Sequence, residues 1–167
     1  MLLRNKMKNL EKNINYTFKN ISLLENALSH SSYANEKHLK YGSNERLEFL
    51  GDAVLSVIVA DYLYKNFSDK PEGELTKLRA SLVCEKSLCN FAREINLGDF
   101  LLLGKGEEQN GGRERDSILA DAFEAVLAAV YLDGEMEAAR KHVLHFIIDE
   151  LSHTEDETFH DYKTILQ

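Results

Sequence analysis

Apolar residues recur along this chain at intervals of three and four residues, which places them on one face of an α-helix. No segment shows the sustained alternation of apolar and polar positions that marks a half-buried β-strand. The pattern predicts an all-α protein. Its expected helices cover residues 22–30, 45–66, 74–83, 85–95, 117–134 and 135–151.

Start and stop signals flank several of these helices. Ser22 and Glu25 match a capping box at the first, and Ser43 or Asn44 is placed to cap the long second helix. Residues 103–117 hold four glycines among many charged side chains. This composition predicts an exposed connector without helical structure, and its glycines do not match a phosphate-binding loop.

Length and composition limit the class of protein. A chain of 167 residues suits one compact domain, and its net charge of −8 argues against holding nucleic acid by bulk positive charge. The sequence contains neither a membrane-span pattern nor a signal-peptide pattern, so we expect a cytoplasmic protein without a membrane partner. Cys84 and Cys89 lack a second cysteine pair, which predicts reduced thiols rather than a zinc site or a disulfide framework.

Three carboxylates interrupt helical segments that are otherwise apolar. Asp52 is the only charged residue in 49–60, and Asp121 and Glu124 are the only charged residues in 118–132. A helix that is apolar on nearly every side is normally buried. A carboxylate in that position is strongly disfavoured unless it is neutralised, paired or bound to a metal.

Helical spacing groups these acids into one candidate cluster. Glu48 and Asp52 share a face of one helix, and Asp121 and Glu124 share a face of another. The four side chains converge if the two helices cross at that point. Gly51 supports such a crossing, since glycine inside a helix costs about 1 kcal/mol relative to alanine and indicates that another backbone comes close.

Three interpretations of this cluster are compatible with the spacing. Oxygen ligands without histidine or cysteine favour a hard cation such as Mg²⁺ or Mn²⁺. Alternatively, Arg46 and Arg79 neutralise a purely structural acid cluster. The third interpretation is a glycosidase-type acid/base pair, although the chain has no Trp to stack on a sugar. His142 and His145 on the last predicted helix are expected to be packing or surface residues rather than metal ligands.

Two acidic segments of the chain match the pattern of a known family: ERLEFLGDA at 45–53 and DSILADAFEAVLAAVYLDG at 116–134. The first resembles the signature of the ribonuclease III family throughout, and the second resembles that family's second acidic motif. The sequences LTKLRASLV and LGKGEEQNGGRERDS also resemble family segments, in the family's order. The similarity extends from about Tyr16 to Leu151.

The resemblance implies an all-helical endonuclease domain that cleaves double-stranded RNA by two-metal hydrolysis, leaving 5′-phosphate and 3′-hydroxyl ends. It implies Mg²⁺ as cofactor, with Mn²⁺ as a substitute, and no protein nucleophile is then required. Asp52 and Glu124 match the acids described as catalytic, and Glu45 and Glu72 match acids near the cleft. The residues that match the family's metal ligands are Glu48, Asp52, Asp121 and Glu124.

The resemblance also implies a homodimer, with Phe49 and Leu50 as candidate contacts, that processes precursors of rRNA, mRNA and tRNA and other structured RNAs. Residues 1–153 would form the nuclease domain. Residues 154–167 would form a linker and the first residues of a truncated double-stranded-RNA-binding domain. Two alternatives are a non-catalytic RNA-binding member of the same fold and a helical interaction domain with structural acids; the presence of all four acids favours the enzyme.

Overall fold

The computed structural model describes the backbone of residues 1–165 and the side chains of residues 1–154. Every regular element in that part is helical, and an isolated β-bridge joins Ser29 to Leu102. The predicted all-α fold is confirmed. The α-helices are α1 Leu2–Ile14, α2 Ile21–Leu28, α3 Ser31–Glu36, α4 Glu45–Asn66, α5 Glu72–Leu82, α6 Glu85–Glu94, α7 Lys105–Gln109 and α8 Asp116–Ile165. Two short 3₁₀ helices cover Leu97–Phe100 and Gly112–Glu114.

The centre of the molecule is the packing of α4 against the first half of α8, with α2 and α6 also lying against α8. Residues 125–130 of α8 are completely buried, as their apolar sequence predicts. Three phenylalanine rings from α6 and α8 form the adjoining core, with ring centroids 5.3 to 5.7 Å apart: Phe91, Phe123 and Phe146. These contacts pack α6 against α8 beside the part of α8 that carries Asp121 and Glu124.

The prediction that the apolar part of α4 is buried is confirmed for one face of the helix only. Phe49, Val57 and Tyr64 are 82, 55 and 77% exposed. Together with the exposed Ala53 they lie along one side of α4, at intervals of four and seven residues, and we call them the α4 stripe. The apolar sequence of α4 is long enough to cover two faces, but a single chain covers only the face that packs on α8.

The helix starts differ from the sequence prediction in one case. Asn20, not Ser22, caps α2, because its side chain accepts a hydrogen bond from the Ser22 backbone N–H. Ser22 therefore lies inside the helix, and the predicted capping box with Glu25 is wrong. Asparagine is as strong a cap as serine, so the earlier residue takes the position. The second helix covers Glu45–Asn66 and begins after Asn44, as predicted.

Residues 103–117 are structured rather than irregular, contrary to the prediction. They form α7 and the second 3₁₀ helix. The Arg113 guanidinium donates hydrogen bonds to the carbonyls of Gly98 at 2.9 Å and Leu101 at 2.7 Å, and it pairs with Glu108. The glycine-rich composition gave no indication of these contacts, because an arginine that donates hydrogen bonds to distant carbonyls produces no periodic pattern in the sequence.

A break inside α8 matches the stop predicted at residues 133–134. Glu135 has φ 65° and ψ −173°, which interrupts the helix. The Asp133 carboxylate accepts hydrogen bonds from the Tyr16 hydroxyl at 2.7 Å and from the backbone N–H groups of Lys19 and Asn20, both at 2.8 Å. This carboxylate therefore anchors the loop between α1 and α2 onto α8.

At both ends of the chain the helical structure extends further than predicted. The sequence reading missed α1, although its buried residues Met7, Leu10 and Ile14 follow helical spacing. At the other end, the helix predicted to finish at Leu151 continues to Ile165. The predicted start of an RNA-binding domain lies in the last seven residues, whose side chains are outside the described part. No helix in the described residues is long and apolar enough to span a membrane.

His142 is a buried histidine without a well-formed hydrogen bond. It is 4% exposed, neither ring nitrogen has a partner in the described residues, and its ring lies 6.0 Å from those of Phe123 and Phe146. Burial, with a smaller contribution from His145, lowers the pKa of His142 to about 4. The structure confirms a packing role for His142 and a surface position for His145.

The contribution of buried His142 to stability is lost in mild acid. The unfolded chain takes up a proton at the ordinary histidine pKa of about 6.5, well above the pH at which buried His142 does so. We expect His142 to lower the free energy of unfolding by roughly 2 kcal/mol between pH 7 and pH 5. Urea denaturation of the parent and of His142→Leu at both pH values isolates this contribution, because groups with raised pKa values, such as Glu124, act with the opposite sign in both proteins alike. The stability difference between the parent and His142→Leu should shift by roughly 2 kcal/mol against the parent from pH 7 to pH 5, and His145→Gln should behave as the parent does. A difference that stays the same at both pH values would contradict the assignment.

Candidate functional site

The crossing of α4 and α8 is centred on Gly51. A Cβ atom added at Gly51 would overlap the carbonyl oxygen of Glu124 and lie 2.5 Å from its carbonyl carbon. Only glycine permits this contact, which confirms the close backbone approach predicted from the sequence. The crossing places Asp52, the next residue of α4, beside the part of α8 that carries Glu124.

A cleft of about 390 Å³ opens beside this crossing. Three helices contribute to its walls, and we call it the acidic cleft. Its carboxylates are Glu45, Glu48 and Asp52 from α4, Glu85 from α6, and Asp121 and Glu124 from α8. All four predicted metal-ligating residues therefore line the same cleft.

Polar contacts fix the starts of both central helices. The buried Asn44 side chain donates a hydrogen bond to the Ala27 carbonyl at 3.0 Å, and its backbone N–H donates to the Ser29 carbonyl at 2.9 Å. The Arg93 guanidinium pairs with Asp116, the first residue of α8, at 2.5 Å. These contacts hold in place the N-terminal ends of α4 and α8, the two helices that carry most of the cleft acids.

Burial and the charges of neighbouring carboxylates raise the pKa values of three acids in the acidic cleft. Burial, followed by the charges of Asp52, Glu48 and Asp121, raises the pKa of Glu124 to about 8. Burial and the nearby Asp121 also raise the pKa of Glu48. The pKa of Asp121 is raised by burial and by Glu85, against a smaller opposite effect of His30. Burial and mutual repulsion therefore disfavour the charged forms of these three acids.

The salt-bridge interpretation of the acid cluster finds no support. The ion pairs formed among side chains 1–154 involve none of the carboxylates of the acidic cleft. Arg46 and Arg79, the cations expected to neutralise the cluster, are absent from these pairs. A cation from outside the chain would compensate the charge that these arginines leave in place.

The donor set of the cleft fits a hard divalent cation. In the described part of the chain, no three His, Cys, Asp or Glu side chains are close enough to form a complete metal site as they stand. The acids instead line the walls of an open cleft. Carboxylate oxygens without nitrogen or sulfur ligands are typical of Mg²⁺ and Mn²⁺ sites. The raised pKa values come first from burial and then from neighbouring carboxylates, and a bound cation would oppose both by favouring the charged forms.

Sequence reasoning missed one acid of the cleft. Glu85 is the first residue of α6, where an acidic residue is common at any helix start, so it carries no distinguishing signal. Glu72, which the resemblance placed near the cleft, does not line it. Its carboxylate accepts a hydrogen bond from the Thr76 hydroxyl at 2.8 Å and faces a neighbouring pocket with Tyr64 and Arg79.

Comparison with known proteins shows the family to which this chain belongs. Residues 20–151 match the family described as Ribonuclease-III-like. The chain belongs to the ribonuclease III family. It is 58% identical, over 95% of its length, to Ribonuclease 3 of Caldanaerobacter subterraneus subsp. tengcongensis, of which it covers 70%. It is 53% identical, over 87% of its length, to Ribonuclease 3 of Syntrophomonas wolfei, of which it covers 62%.

A solved structure extends the ribonuclease III likeness to three dimensions. The nuclease domain of ribonuclease III from Campylobacter jejuni matches with a TM-score of 0.79 and 47% identity, over 84% of this chain and 95% of that domain. The all-α fold is thus that of a ribonuclease III nuclease domain. The family match, the sequence identity and the fold together identify a hydrolase of the ribonuclease III type. The part of that enzyme to which the chain corresponds is the nuclease domain.

Proposed function

We propose that the chain hydrolyses phosphodiester bonds of double-stranded RNA, with the acidic cleft as its active site. One observation carries the proposal: the four acids expected from the ribonuclease III resemblance line a single cleft, and no cation among side chains 1–154 forms an ion pair with them. The products would carry 5′-phosphate and 3′-hydroxyl ends. The substrates would be precursors of rRNA and other structured RNAs in the cytoplasm.

The cleft residues would act by holding divalent cations and by controlling protons. Glu48, Asp52, Asp121 and Glu124 would be the ligands of Mg²⁺, which when bound supplies an activated water and neutralises phosphate charge. Before metal binds, the Glu124 carboxyl holds a proton at neutral pH because its pKa is about 8. Its release on metal binding would convert Glu124 into a charged ligand. Asp52, exposed at the mouth of the cleft, is accessible to substrate.

Cleavage of a labelled RNA duplex tests this function. The chain should cut the duplex with Mg²⁺ or Mn²⁺ and leave intact a single strand of the same sequence that cannot fold. Ca²⁺ or EDTA in place of Mg²⁺ should abolish the cleavage. Equal cleavage of both RNAs, or products formed in EDTA, would contradict the proposal. Binding of the duplex without cleavage under all conditions would instead indicate a non-catalytic RNA-binding member of the family.

We further propose that the α4 stripe is the contact surface of a homodimer. The Campylobacter jejuni domain is described as having a region involved in dimer formation. In the present chain a row of exposed apolar side chains runs along α4, and Phe49 belongs both to this row and to the acidic cleft. A two-fold dimer built on the stripe would bury it and place two equivalent clefts next to each other.

A charge within the stripe should separate the two subunits. We expect Val57→Asp to produce a folded monomer, because a carboxylate in an apolar interface loses its hydration without gaining a partner. Leu132→Asp is the matched control, since Leu132 is 50% exposed on α8 and Val57 is 55% exposed. Light scattering coupled to size-exclusion chromatography measures the mass. A Val57→Asp protein that remains dimeric would show that the stripe is not the interface.

A further inference from the structure

Positive charge is concentrated at the start of this acidic protein. The side chains of residues 1–20 carry a net charge of +4, whereas the whole chain carries −8. Glu11 is the only acid in that segment. The cations are Arg4, Lys6, Lys8, Lys12 and Lys19. The helix α1 thus differs in sign from the domain on which it packs.

The fold of α1 presents three of these cations in a row. The helix buries one side, formed by Met7, Leu10 and Ile14. Arg4, Lys8 and Lys12 follow one another at intervals of four residues along a different, exposed side of the helix. Successive cations are separated by about 6 Å along the helix axis. We call these three residues the α1 cationic face.

The α1 cationic face keeps its charge available. The Glu11 carboxylate accepts a hydrogen bond from the Phe18 backbone N–H at 2.7 Å and pairs with none of the three cations. None of the three forms an ion pair with any side chain of residues 1–154. In contrast, four arginines elsewhere each pair with a carboxylate: Arg93, Arg113, Arg115 and Arg140.

The α1 cationic face is separate from the acidic cleft. The helix α1 lies against the 3₁₀ helix Leu97–Phe100, and the Asn13 side chain donates a hydrogen bond to the Ile95 carbonyl at 2.9 Å. No residue of α1 lines the cleft, which α4, α8 and the junction of α5 with α6 enclose. A ligand held on α1 is therefore additional to whatever enters the cleft.

We propose that the α1 cationic face binds the phosphate backbone of RNA outside the acidic cleft. This inference rests on the proposed function, since an enzyme for RNA requires affinity that its acidic cleft does not provide without bound cations. A row of exposed cations on a convex helix, without an enclosing pocket, suits a continuous polyanion rather than a small anion. Contacts of this kind are independent of base sequence and weaken as salt is added.

Binding measured as a function of salt tests the proposal. The probe is a fluorescent RNA duplex in EDTA, which prevents cleavage, titrated with the full chain between 25 and 200 mM KCl. The test variant combines Arg4→Gln, Lys8→Gln and Lys12→Gln. The control combines Lys37→Gln, Lys65→Gln and Lys70→Gln, which removes the same charge from lysines that already pair with carboxylates. We expect the slope of log K against log salt to become shallower by about 2 to 3 in the test variant alone.

The outcomes distinguish this inference from the proposed function. Equal slopes for the two variants, with cleavage of the duplex by the unmodified chain in Mg²⁺, would overturn the α1 contact and leave the proposed function intact. Absence of both binding and cleavage in the unmodified chain would overturn both. Vesicles of phosphatidylserine and phosphatidylcholine provide the last arm. Binding to vesicles that requires the α1 cationic face, without an effect of that face on RNA binding, would assign it to a lipid surface instead.

Discussion

Glu124→Gln is expected to reduce cleavage of double-stranded RNA by about a thousandfold or more while the protein remains folded. The substitution removes a metal-ligating charge but keeps the size and shape of the side chain. Loss of about 4 kcal/mol of transition-state stabilisation, a moderate value for a metal site, corresponds to about a thousandfold in rate. The initial rate on a labelled duplex in Mg²⁺ measures the effect.

The same variant has a predicted effect on stability that separates a catalytic residue from a structural one. The pKa of Glu124 is about 8 in the folded chain and close to the ordinary glutamate value of about 4.3 when unfolded. Between about pH 4.3 and pH 8 the folded chain therefore keeps a proton on Glu124 that the unfolded chain loses. The contribution of Glu124 to the free energy of unfolding consequently falls as the pH rises through this range. Glutamine lacks this dependence, so the variant should equal or exceed the parent in stability at pH 8.5 without metal.

Denaturation by urea in EDTA at pH 6 and pH 8.5 checks this expectation. Glu137→Gln is the matched control, because the Glu137 side chain is 90% exposed on α8 and lies outside the cleft. The control should retain both activity and stability. A Glu124→Gln protein that cleaves normally would contradict the catalytic assignment. One that loses activity only because it unfolds would show that Glu124 has a structural role.

Gly51→Ala is expected to destabilise the protein by several kcal/mol and to abolish cleavage. The added methyl group would overlap the backbone of Glu124, which cannot rotate away as a side chain can. Overpacking in a core costs about 1 to 3 kcal/mol when side chains can adjust, and here two central helices must separate. That separation would also displace Glu124 from Asp52 and disrupt the cleft.

Gly73→Ala provides the matched control within the same chain. Gly73 lies in the first turn of α5, and no atom lies within 4 Å of a Cβ added there. Alanine is a better helix former, so this variant should gain up to about 1 kcal/mol. Urea denaturation and duplex cleavage of both variants test the pair. Wild-type stability and activity in Gly51→Ala would show that α4 and α8 do not cross as described.

The sequence was sufficient for the parts of the site that depend on local spacing. The bounds of α4 and the shared faces of its acids follow from helical periodicity. Gly51 indicated the crossing of the two helices because glycine is unfavourable inside a helix and its presence suggests a close backbone contact. Glu85 could not be found in this way, since it reaches the cleft from a third helix through tertiary packing.

The exposure of the α4 stripe also could not be predicted from the sequence. An apolar residue that packs inside its own chain and one that packs against a second copy give the same pattern, so Phe49 and Leu50 could not be assigned before the structure. Phe49 is exposed, whereas Leu50 packs against the core of its own chain. Residues 103–117 show the opposite error, because their ordered structure depends on Arg113 reaching carbonyls earlier in the chain.

Calorimetric titration with Mn²⁺ tests the central claim most directly, namely that the four acids of the cleft form a divalent-cation site. We predict saturable binding by the parent chain and by Glu137→Gln, with affinity that rises from pH 6 to pH 8 as Glu124 loses its proton. Glu124→Gln should bind at least about tenfold more weakly, with little dependence on pH over this range. Identical Mn²⁺ affinity in Glu124→Gln and the parent would contradict the claim and remove the cleft from the proposed chemistry.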